Sequence, residues 1–464
     1  MSRSETLVLE GTLTPSQTLT YPMLPFDAPP HTERIDVEYT YSAAIDSDPH
    51  LTGGNTIDIG IFDPRGHAFM GEGFRGWSGS ARSAFFIATD TATPGYSSGP
   101  IQPGTWHICL GAYKVAEGGC AYRVTIQLTI GEGEAPVSFP ARLPLSTVSR
   151  PDVRRASGWY KGELHCHTHH SDGDSDVMTV IRKAETIGLD FLAITDHNVL
   201  SQQVALAPAE TRLMLIPGME VTTYKGHWNI WGAGPWIDFR VLSQDDMQTA
   251  VDAALAAGYL ISCNHPRPFG PEWSYPEVTG FHCIEVWNGP WPPTNRIALA
   301  YWEAKLKTGA RYVAVGGSDC HFHHHEHHAK LANPTLVIYC PGDPSPSALL
   351  DALKVGHAYV TESPDGPEIL LSSGAAMMGD TLRIGGDSLL VTVSARRAQG
   401  LQLQIVTGKG VTQQFAVDQL EWEAQVDVDV HDTPYVRAQI ISGDPNAPHV
   451  HALTNPIYIE RQPR

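Results

Sequence analysis

The sequence has few cysteines and no long apolar run. Its seven cysteines are scattered along the chain, and none belongs to a CxxC pair. This spacing argues against a disulfide framework and against an all-thiolate zinc site. No apolar stretch approaches the roughly 20 residues of a membrane-spanning helix, and residues 1–16 lack the apolar core of a signal peptide. These absences predict a cytoplasmic protein with reduced thiols.

Basic residues are also scarce. The chain has 31 Lys and Arg against 50 Asp and Glu, which gives a formal net charge of −19. Such a surface repels nucleic-acid backbones and anionic lipids, so we expect neither nucleic acid nor a membrane as a partner. An acidic protein can still bind a small anion where metal ions supply local positive charge.

Length and pattern divide the 464 residues into three parts. Residues 1–145 alternate apolar and polar side chains, as in 35–41 and 56–62, which predicts a β-sandwich. Residues 134–157 are rich in Pro, Arg and Ser and indicate a linker, whereas 363–464 alternate again and predict a second, smaller sandwich. We expect both sandwiches to act as scaffold or as contacts of a homo-oligomer, a dimer being the simplest. A sandwich loop that covers the pocket is the alternative.

The part between them, residues 158–362, alternates strands and helices. Apolar residues at helical spacing predict one helix near 177–187 and another that begins near Ser243. Repeated βα units are typical of α/β proteins with a parallel barrel or a doubly wound sheet. Polar residues cluster where the strands end, which is where such barrels carry their chemistry.

Metal-binding side chains follow several of the predicted strands. His165 and His167 face the same way because side chains alternate along a strand, and so do Asp319 and His321. The cysteine inside each pair faces the opposite way and is expected to pack in the wall. Two such pairs on separate strands suit a multinuclear metal site.

Single residues between these pairs extend the pattern. Glu220 ends a strand, where a buried carboxylate needs a cation as its partner. His197 follows Asp196, which is expected to orient a metal ligand rather than bind the metal itself. For His227 and His265, a core histidine bonded to the backbone is the alternative to a metal ligand.

Five motifs within residues 158–362 resemble the polymerase-and-histidinol-phosphatase (PHP) superfamily of metal hydrolases. Their order along the chain is HxHTxxSDG at 165–173, TDH at 195–197, GxE at 218–220, NHP at 264–266 and GSDxH at 317–321. Residues 218–229 and 356–361 further resemble the branch named after the carbaryl hydrolases.

This resemblance implies a distorted seven-stranded βα barrel that holds two or three divalent ions. Zinc, manganese and iron are all compatible with mixed nitrogen and oxygen ligands. The ligands implied by the motifs are His165, His167, Glu220 and Asp319 for the first ion, Glu220, His227 and His265 for the second, and Asp172, His197 and His321 for the third.

Hydrolysis of an ester-type bond is the expected activity. Ions bridged by Glu220 would provide a hydroxide nucleophile at neutral pH, and His321, His197 or Asp319 would serve as the general acid. A non-catalytic binding or scaffold protein is the alternative, but such a barrel should have lost at least one ligand of the first ion, and none is missing.

The expected substrate is a small molecule. The resemblance to the superfamily implies a phosphoester or a phosphodiester. Arg267, His170 and Trp228 are the candidate substrate contacts. Seven of the eleven tryptophans lie between residues 228 and 302, which favours an aryl group and leaves a carbamate or carboxylic ester as the alternative. The His-rich stretch 323–328 is interpreted as a lid, a metal-scavenging loop or a solvated segment.

Overall fold

The computed structural model describes residues 3–132, 158–267, 272–292, 294–324, 329–444 and 447–462. The linker expected over 134–157 and residues 325–328 of the His-rich stretch lie outside these ranges. In the part of the chain that is described, no helix is both long and apolar enough to cross a membrane.

The N-terminal part consists of two four-stranded antiparallel sheets, with a 3-10 helix at Pro15–Gln17. Its strands are β1 (Arg3–Leu13), β2 (Met23–Ala28), β3 (Thr32–Tyr41), β4 (Thr56–Phe62), β5 (Phe74–Gly79), β6 (Ala84–Ala88), β7 (Gly104–Lys114) and β8 (Cys120–Ile130). The strand orders are β1-β8-β3-β6 and β2-β7-β4-β5, and the two sheets share one apolar core.

Strand β4 is buried along its whole length, unlike the half-exposed β3. A strand buried on both faces needs a second packing partner besides the opposite sheet. Phe62 and Trp77 supply the contact, because both belong to the core of the central part of the chain. The N-terminal sheet that contains β4 therefore packs directly on the central part.

The described residues of the central part form nine strands and five helices. The strands are β9 (Trp159–Glu163), β10 (Phe191–Ile194), β11 (Met214–Thr223), β12 (Gly226–Trp231), β13 (Leu260–Cys263), β14 (Cys283–Asn288), β15 (Val313–Gly317), β16 (Thr335–Tyr339) and β17 (Ala358–Thr361). The helices are α1 (Val177–Thr186), α2 (Gln202–Leu206), α3 (Gln244–Ala256), α4 (Asn295–Lys307) and α5 (Pro346–Val355).

The predicted distorted βα barrel of seven strands is not confirmed. Strands β9, β10 and β11 are parallel, as are β13, β14 and β15, but β12 is antiparallel to both of its neighbours. Strands β16 and β17 add antiparallel pairs next to β9. Within the central part, hydrogen-bonded neighbours can be followed strand by strand from β15 to β17. No ladder of backbone hydrogen bonds joins β15 to β17 in the described residues, so the sheet does not close there. The Asn455 side chain bonds to Ala314 of β15 and to Ala358 of β17 instead.

The C-terminal part adds ten strands among its described residues. They are β18 (Glu368–Ser373), β19 (Ala376–Met377), β20 (Thr381–Ile384), β21 (Ser388–Arg396), β22 (Gln402–Thr407), β23 (Gly410–Ala416), β24 (Glu421–Asp429), β25 (Tyr435–Ser442), β26 (His449–Thr454) and β27 (Ile457–Arg461). Strands β18, β19, β21 and β24 form a separate sheet, whereas β26 pairs with β17 and extends the central sheet. Sheets therefore precede and follow the central part along the chain. The division of the chain into three domains remains a proposal.

Candidate metal centre

The segments after β9 and β15 run side by side and carry the two histidine and aspartate motifs. The backbone N–H of Asp319 donates to the carbonyl of His165 at 2.8 Å, and that of His167 donates to Cys320 at 3.0 Å. Cys166 and Cys320 are fully buried in a separate apolar cluster. Alternation along the chain therefore directs the cysteines into the wall and the histidine and aspartate side chains to the other side.

Close backbone approach and backbone strain mark this junction. A Cβ on Gly317 would lie 2.4 Å from His165 Cβ and 2.8 Å from Glu285 Oε1, so only glycine fits there. Asp319 has a φ of +51° and His265 a φ of +28°, which non-glycine residues rarely adopt. Strain of this kind persists where the surroundings fix a functional side chain.

The first predicted ligand group is brought together as a compact set. Nε2 of His165 lies 3.3 Å from both Glu220 Oε1 and Asp319 Oδ1. Nε2 of His167 lies 2.9 Å from Asp319 Oδ1 and 3.5 Å from Glu220 Oε2. One donor atom from each of the four residues lies within 4.8 Å of the others, which is a separation that a shared cation can bridge.

The second group shares Glu220 with the first. His227 lies on β12, opposite Thr222 of β11, and its Nδ1 is 3.3 Å from Glu220 Oε1. Nε2 of His265 lies 3.4 Å from the same oxygen. Glu220 is fully buried between the two groups, and both of its oxygens face imidazole nitrogens.

The third group shares His167 with the first. Oδ1 of Asp172 lies 3.5 Å from His197 Nε2 and 3.4 Å from His321 Nε2. The His167 ring stacks against the rings of His197 and His321 at centroid distances of 4.2 and 4.1 Å. All nine predicted metal ligands therefore fall into three overlapping groups.

The donor atoms fit divalent cations. Nε2 of His165 is buried and forms no hydrogen bond within the described residues, although two carboxylate oxygens lie near it. Burial alone would raise the pKa of Glu220, but His165 and His197 lower it well below its ordinary value. Burial, with His321 next in effect, lowers the pKa of His167 to about 4, so this ring is neutral at pH 7, as a metal ligand must be.

Four supporting residues hold the ligands in place. Glu285 Oε1 lies 2.7 Å from His165 Nδ1, and Asn264 donates to Glu220 Oε1 at 3.0 Å. The carboxylate of Glu163 accepts backbone N–H groups, among them that of His165 at 2.8 Å. The fourth is Asp196, which accepts hydrogen bonds from the loop at 168–171 that leads to the third group.

Sequence reasoning identified Asp196 as a supporting residue but missed Glu163, Glu285 and Asn264. A signal was present for the two glutamates. Each lies within a short strand whose other residues are largely apolar, and both are buried. A buried carboxylate in such a strand needs a hydrogen-bonded partner, which is a reason to place it near a polar site.

The three predicted substrate contacts have different surroundings. Trp228 is fully buried and packs edge-on against Phe281, because it alternates with His227 along β12 and faces the opposite side. Arg267 donates hydrogen bonds to the segment 288–295. Nδ1 of His170 lies 2.8 Å from Ser201 Oγ.

A cavity of about 410 Å³ opens onto the ligand groups at Asp172, His197 and His227. One side of it consists of residues of the N-terminal part, including the loop at 45–49 and residues 77–81. A larger cavity of about 880 Å³ lies at the junction with the C-terminal sheets, and no predicted metal ligand lines it. Of these two cavities, the smaller is the one lined by predicted metal ligands.

Aromatic rings line this cavity, but they are not the predicted tryptophans. Tyr224 stacks on Tyr21 at 5.1 Å and on Tyr113 at 5.3 Å between ring centroids, and Trp77 and Phe239 line the same cavity. Five of the seven clustered tryptophans are instead buried in the core, namely 228, 231, 287, 291 and 302. The aromatic wall therefore comes largely from the N-terminal part.

One protein family matches part of the chain. Residues 163–259 match the PHP domain family. The expected resemblance is confirmed for that segment, and the narrower carbaryl-hydrolase branch stays a prediction. No curated protein matches the chain.

Two solved structures are distantly similar. One is a two-domain protein from Bacteroides vulgatus ATCC 8482 that contains a predicted PHP-like metal-dependent phosphoesterase. Its sequence is 16% identical to this one, and the TM-score is 0.37. The match covers 66% of this chain and 98% of the Bacteroides chain. The other is a proposed metal-dependent phosphoesterase from Bifidobacterium adolescentis ATCC 15703, 15% identical in sequence with a TM-score of 0.26. This match covers 37% of this chain and 90% of the Bifidobacterium chain. Both likenesses are too distant to assign the activity of this chain.

Proposed function

We propose that the protein is a metal-dependent hydrolase of small organic phosphoesters or phosphodiesters. The observation that carries this proposal is the sharing of ligands: Glu220 belongs to two ligand groups and His167 to two. Shared ligands place neighbouring cations close enough to act on one substrate group. The match of residues 163–259 to the PHP domain supports the same assignment.

Divalent cations bound there would polarise a phosphoryl oxygen and lower the pKa of a water molecule. The protein's own contribution is to fix the ligands. Glu285 holds His165 through Nδ1, so that Nε2 is directed at the centre, and Asn264 holds the Glu220 carboxylate in one orientation. Preorganised ligands reduce the reorganisation that the reaction would otherwise require.

Proton transfer to the leaving group is assigned to the pair of histidines in the third group. Nε2 of His197 lies 3.3 Å from Nε2 of His321, and His197 lines the cavity. Burial alone would lower the pKa of His197, but Asp172, with Glu220 next, raises it to about 9. With cations held only by the first two ligand groups, His197 would keep this proton and suit the role of general acid.

The cavity favours substrates with a flat apolar group. Its wall presents the rings of Tyr21, Tyr113, Tyr224 and Trp77, and the described residues that line it include no Lys or Arg. Among the described lining residues, a dianionic sugar phosphate would therefore find no Lys or Arg to contact. An aryl phosphoester, and above all a singly charged diester, matches these surroundings better.

The same wall favours a second candidate, an aryl carbamate or carboxylic ester. Neither substrate needs a cationic side chain, because the carbonyl oxygen would be polarised at the ligand groups. The two candidates differ only in the group that is cleaved.

A parallel assay separates the candidates. Metal-loaded protein is given nitrophenyl phosphate, bis-nitrophenyl phosphate, nitrophenyl acetate and naphthyl carbamate, with Glu220→Gln as the control for metal-independent cleavage. We expect the phosphodiester or the phosphomonoester to be cleaved fastest by the wild type. Glu220→Gln should show no turnover of any of the four substrates. Faster turnover of the acetate or carbamate would favour the second candidate, and equal rates for the variant would refute the metal mechanism.

A further inference from the structure

A second cluster of metal-binding side chains lies where the C-terminal strands join the central sheet. Thr361 of β17 pairs with Ala452 of β26, and the next residue, Glu362, donates its backbone N–H to the carbonyl of His451 at 3.0 Å. Residues directly opposite each other on antiparallel strands share a face, as do residues two apart on one strand. Glu362, His451 and His449 therefore present their side chains on one side of the sheet.

The three side chains come within reach of a single ion. Oε2 of Glu362 lies 2.7 Å from His451 Nδ1 and 3.9 Å from His449 Nε2. The two imidazole rings are 4.6 Å apart between centroids, and one donor atom from each residue lies within 4.8 Å of the others. The spacing matches that of the groups in the metal centre, although the two sites share no residue.

Neighbouring residues fix this cluster. Oγ of Ser442, at the end of β25, lies 2.8 Å from His451 Nε2, so that Nδ1 is the nitrogen directed at Glu362. Nε1–H of Trp291 donates to the carbonyl of Pro448 at 3.1 Å, one residue before β26. A hydrogen bond to the far nitrogen of a histidine is a usual feature of metal ligands, because it sets the ring's tautomer and orientation.

We propose that Glu362, His449 and His451 bind a divalent cation of the zinc class, which links the end of β17 to β26. Two imidazoles and one carboxylate suit zinc and similar ions, whereas magnesium and calcium prefer oxygen ligands alone. Three protein ligands leave a fourth position for water. Because the site joins two parts of the chain, the ion would stabilise their junction.

His449 distinguishes a metal site from a plain hydrogen-bonded network. Glu362, His451 and Ser442 already form a continuous chain of hydrogen bonds, and His449 is too far from Glu362 to belong to it. A cation would make His449 a necessary third ligand.

Counting bound zinc in the full-length protein tests this proposal without reference to activity. Zinc equivalents are measured by titration against a chromophoric chelator for the wild type, His449→Ala and His431→Ala, the last being an exposed histidine of the same region as control. We expect His449→Ala to bind one equivalent fewer than the wild type and His431→Ala to bind the same number. An excess of magnesium should not displace the ion.

Two further variants keep the test decisive. Glu362→Gln preserves shape and should also lose one equivalent, which covers the case in which His449→Ala fails to fold. Ser442→Ala should keep the equivalent but bind it about 10- to 100-fold more weakly. An unchanged zinc count in folded His449→Ala or Glu362→Gln would overturn the proposal and leave a hydrogen-bonded network only. Because the count does not depend on turnover, failure of the proposed hydrolase would not affect it.

Discussion

The carboxylate of Glu285 lies 2.7 Å from Nδ1 of His165, and both side chains are almost fully buried. This contact fixes the imidazole so that Nε2 faces Glu220 and Asp319. Because Glu285 fixes the ring through Nδ1, His165 can bind a cation through Nε2 without having to reorient. Residues outside the ligand groups therefore contribute to metal affinity.

Replacing Glu285 with Gln should weaken metal binding about 10- to 100-fold, because the carboxylate no longer orients His165 or increases its basicity. The measurement is a zinc titration by equilibrium dialysis on the folded variant. The exposed Glu277→Gln is the matched control and should bind like the wild type. Equal affinities for Glu285→Gln and the wild type would show that His165 needs no such support.

Gly317→Ala should destabilise the protein by about 1–3 kcal/mol, the usual cost of overpacking a filled interior. The added Cβ would meet His165 Cβ at 2.4 Å and displace the ligand, so metal affinity should fall as well. Gly342→Ala is the control, since no atom lies within 4 Å of a Cβ placed there. Chemical denaturation of the metal-free variants would check this, and identical midpoints would contradict the close approach.

Asp58 should make stability depend on pH. It is buried in the cavity wall and accepts a hydrogen bond from the Tyr224 hydroxyl at 2.7 Å; burial raises its pKa from 3.8 to about 7. Between these two values the folded chain holds a proton that the unfolded chain has released. The free energy of unfolding should therefore fall as pH rises from about 4 to 7, by at most about 4 kcal/mol from this group.

Asp58→Asn removes that titration while keeping a hydrogen-bond acceptor for Tyr224. The variant should lose less stability than the wild type between pH 5 and pH 7.5, as measured by denaturant midpoints at each pH. The exposed Asp90→Asn should follow the wild-type profile. Parallel profiles for Asp58→Asn and the wild type would mean that the Asp58 pKa is not raised.

The aromatic wall should determine affinity for aryl substrates rather than the chemical step. Tyr113→Ala removes one ring that stacks on Tyr224, so KM for an aryl phosphodiester should rise about three- to tenfold with kcat nearly unchanged. Steady-state kinetics would check this, with Tyr122→Ala on β8 as a control ring that does not line the cavity. A loss in kcat alone would place Tyr113 in the reacting geometry instead.

Part of the ligand arrangement could be predicted from the sequence because it depends on local rules. Alternation along the chain places His165 and His167 on one side. Asp319 follows the end of β15 as expected, whereas Glu220 lies inside β11 rather than at its end, because this strand continues to Thr223 and pairs with β12. The same rule directs the intervening cysteines into the wall, as the fully buried Cys166 and Cys320 are. Residue types and spacing were enough for these inferences, whereas the resemblance to the PHP superfamily implied the grouping of the other ligands, Asp172, His227 and His265 among them.

Features that depend on packing between distant segments could not be predicted in this way. Strand β12 turns back on β11 after two residues, at Tyr224 and Lys225, which reverses its direction inside a run of parallel strands. The clustered tryptophans fill the core, whereas tyrosines of the N-terminal sheets line the cavity. Periodicity shows which side chains are buried but not which partner buries them.

Anomalous diffraction from crystals of the zinc-loaded protein tests the central claim most directly. We expect at least two anomalous-difference peaks among the three ligand groups. One of the ions should lie about 2.0–2.2 Å from both a histidine nitrogen and a Glu220 oxygen. Crystals of Glu220→Gln should lose at least one of these peaks. Peaks confined to surface residues, with no density between His165, Glu220 and Asp319, would contradict the assignment.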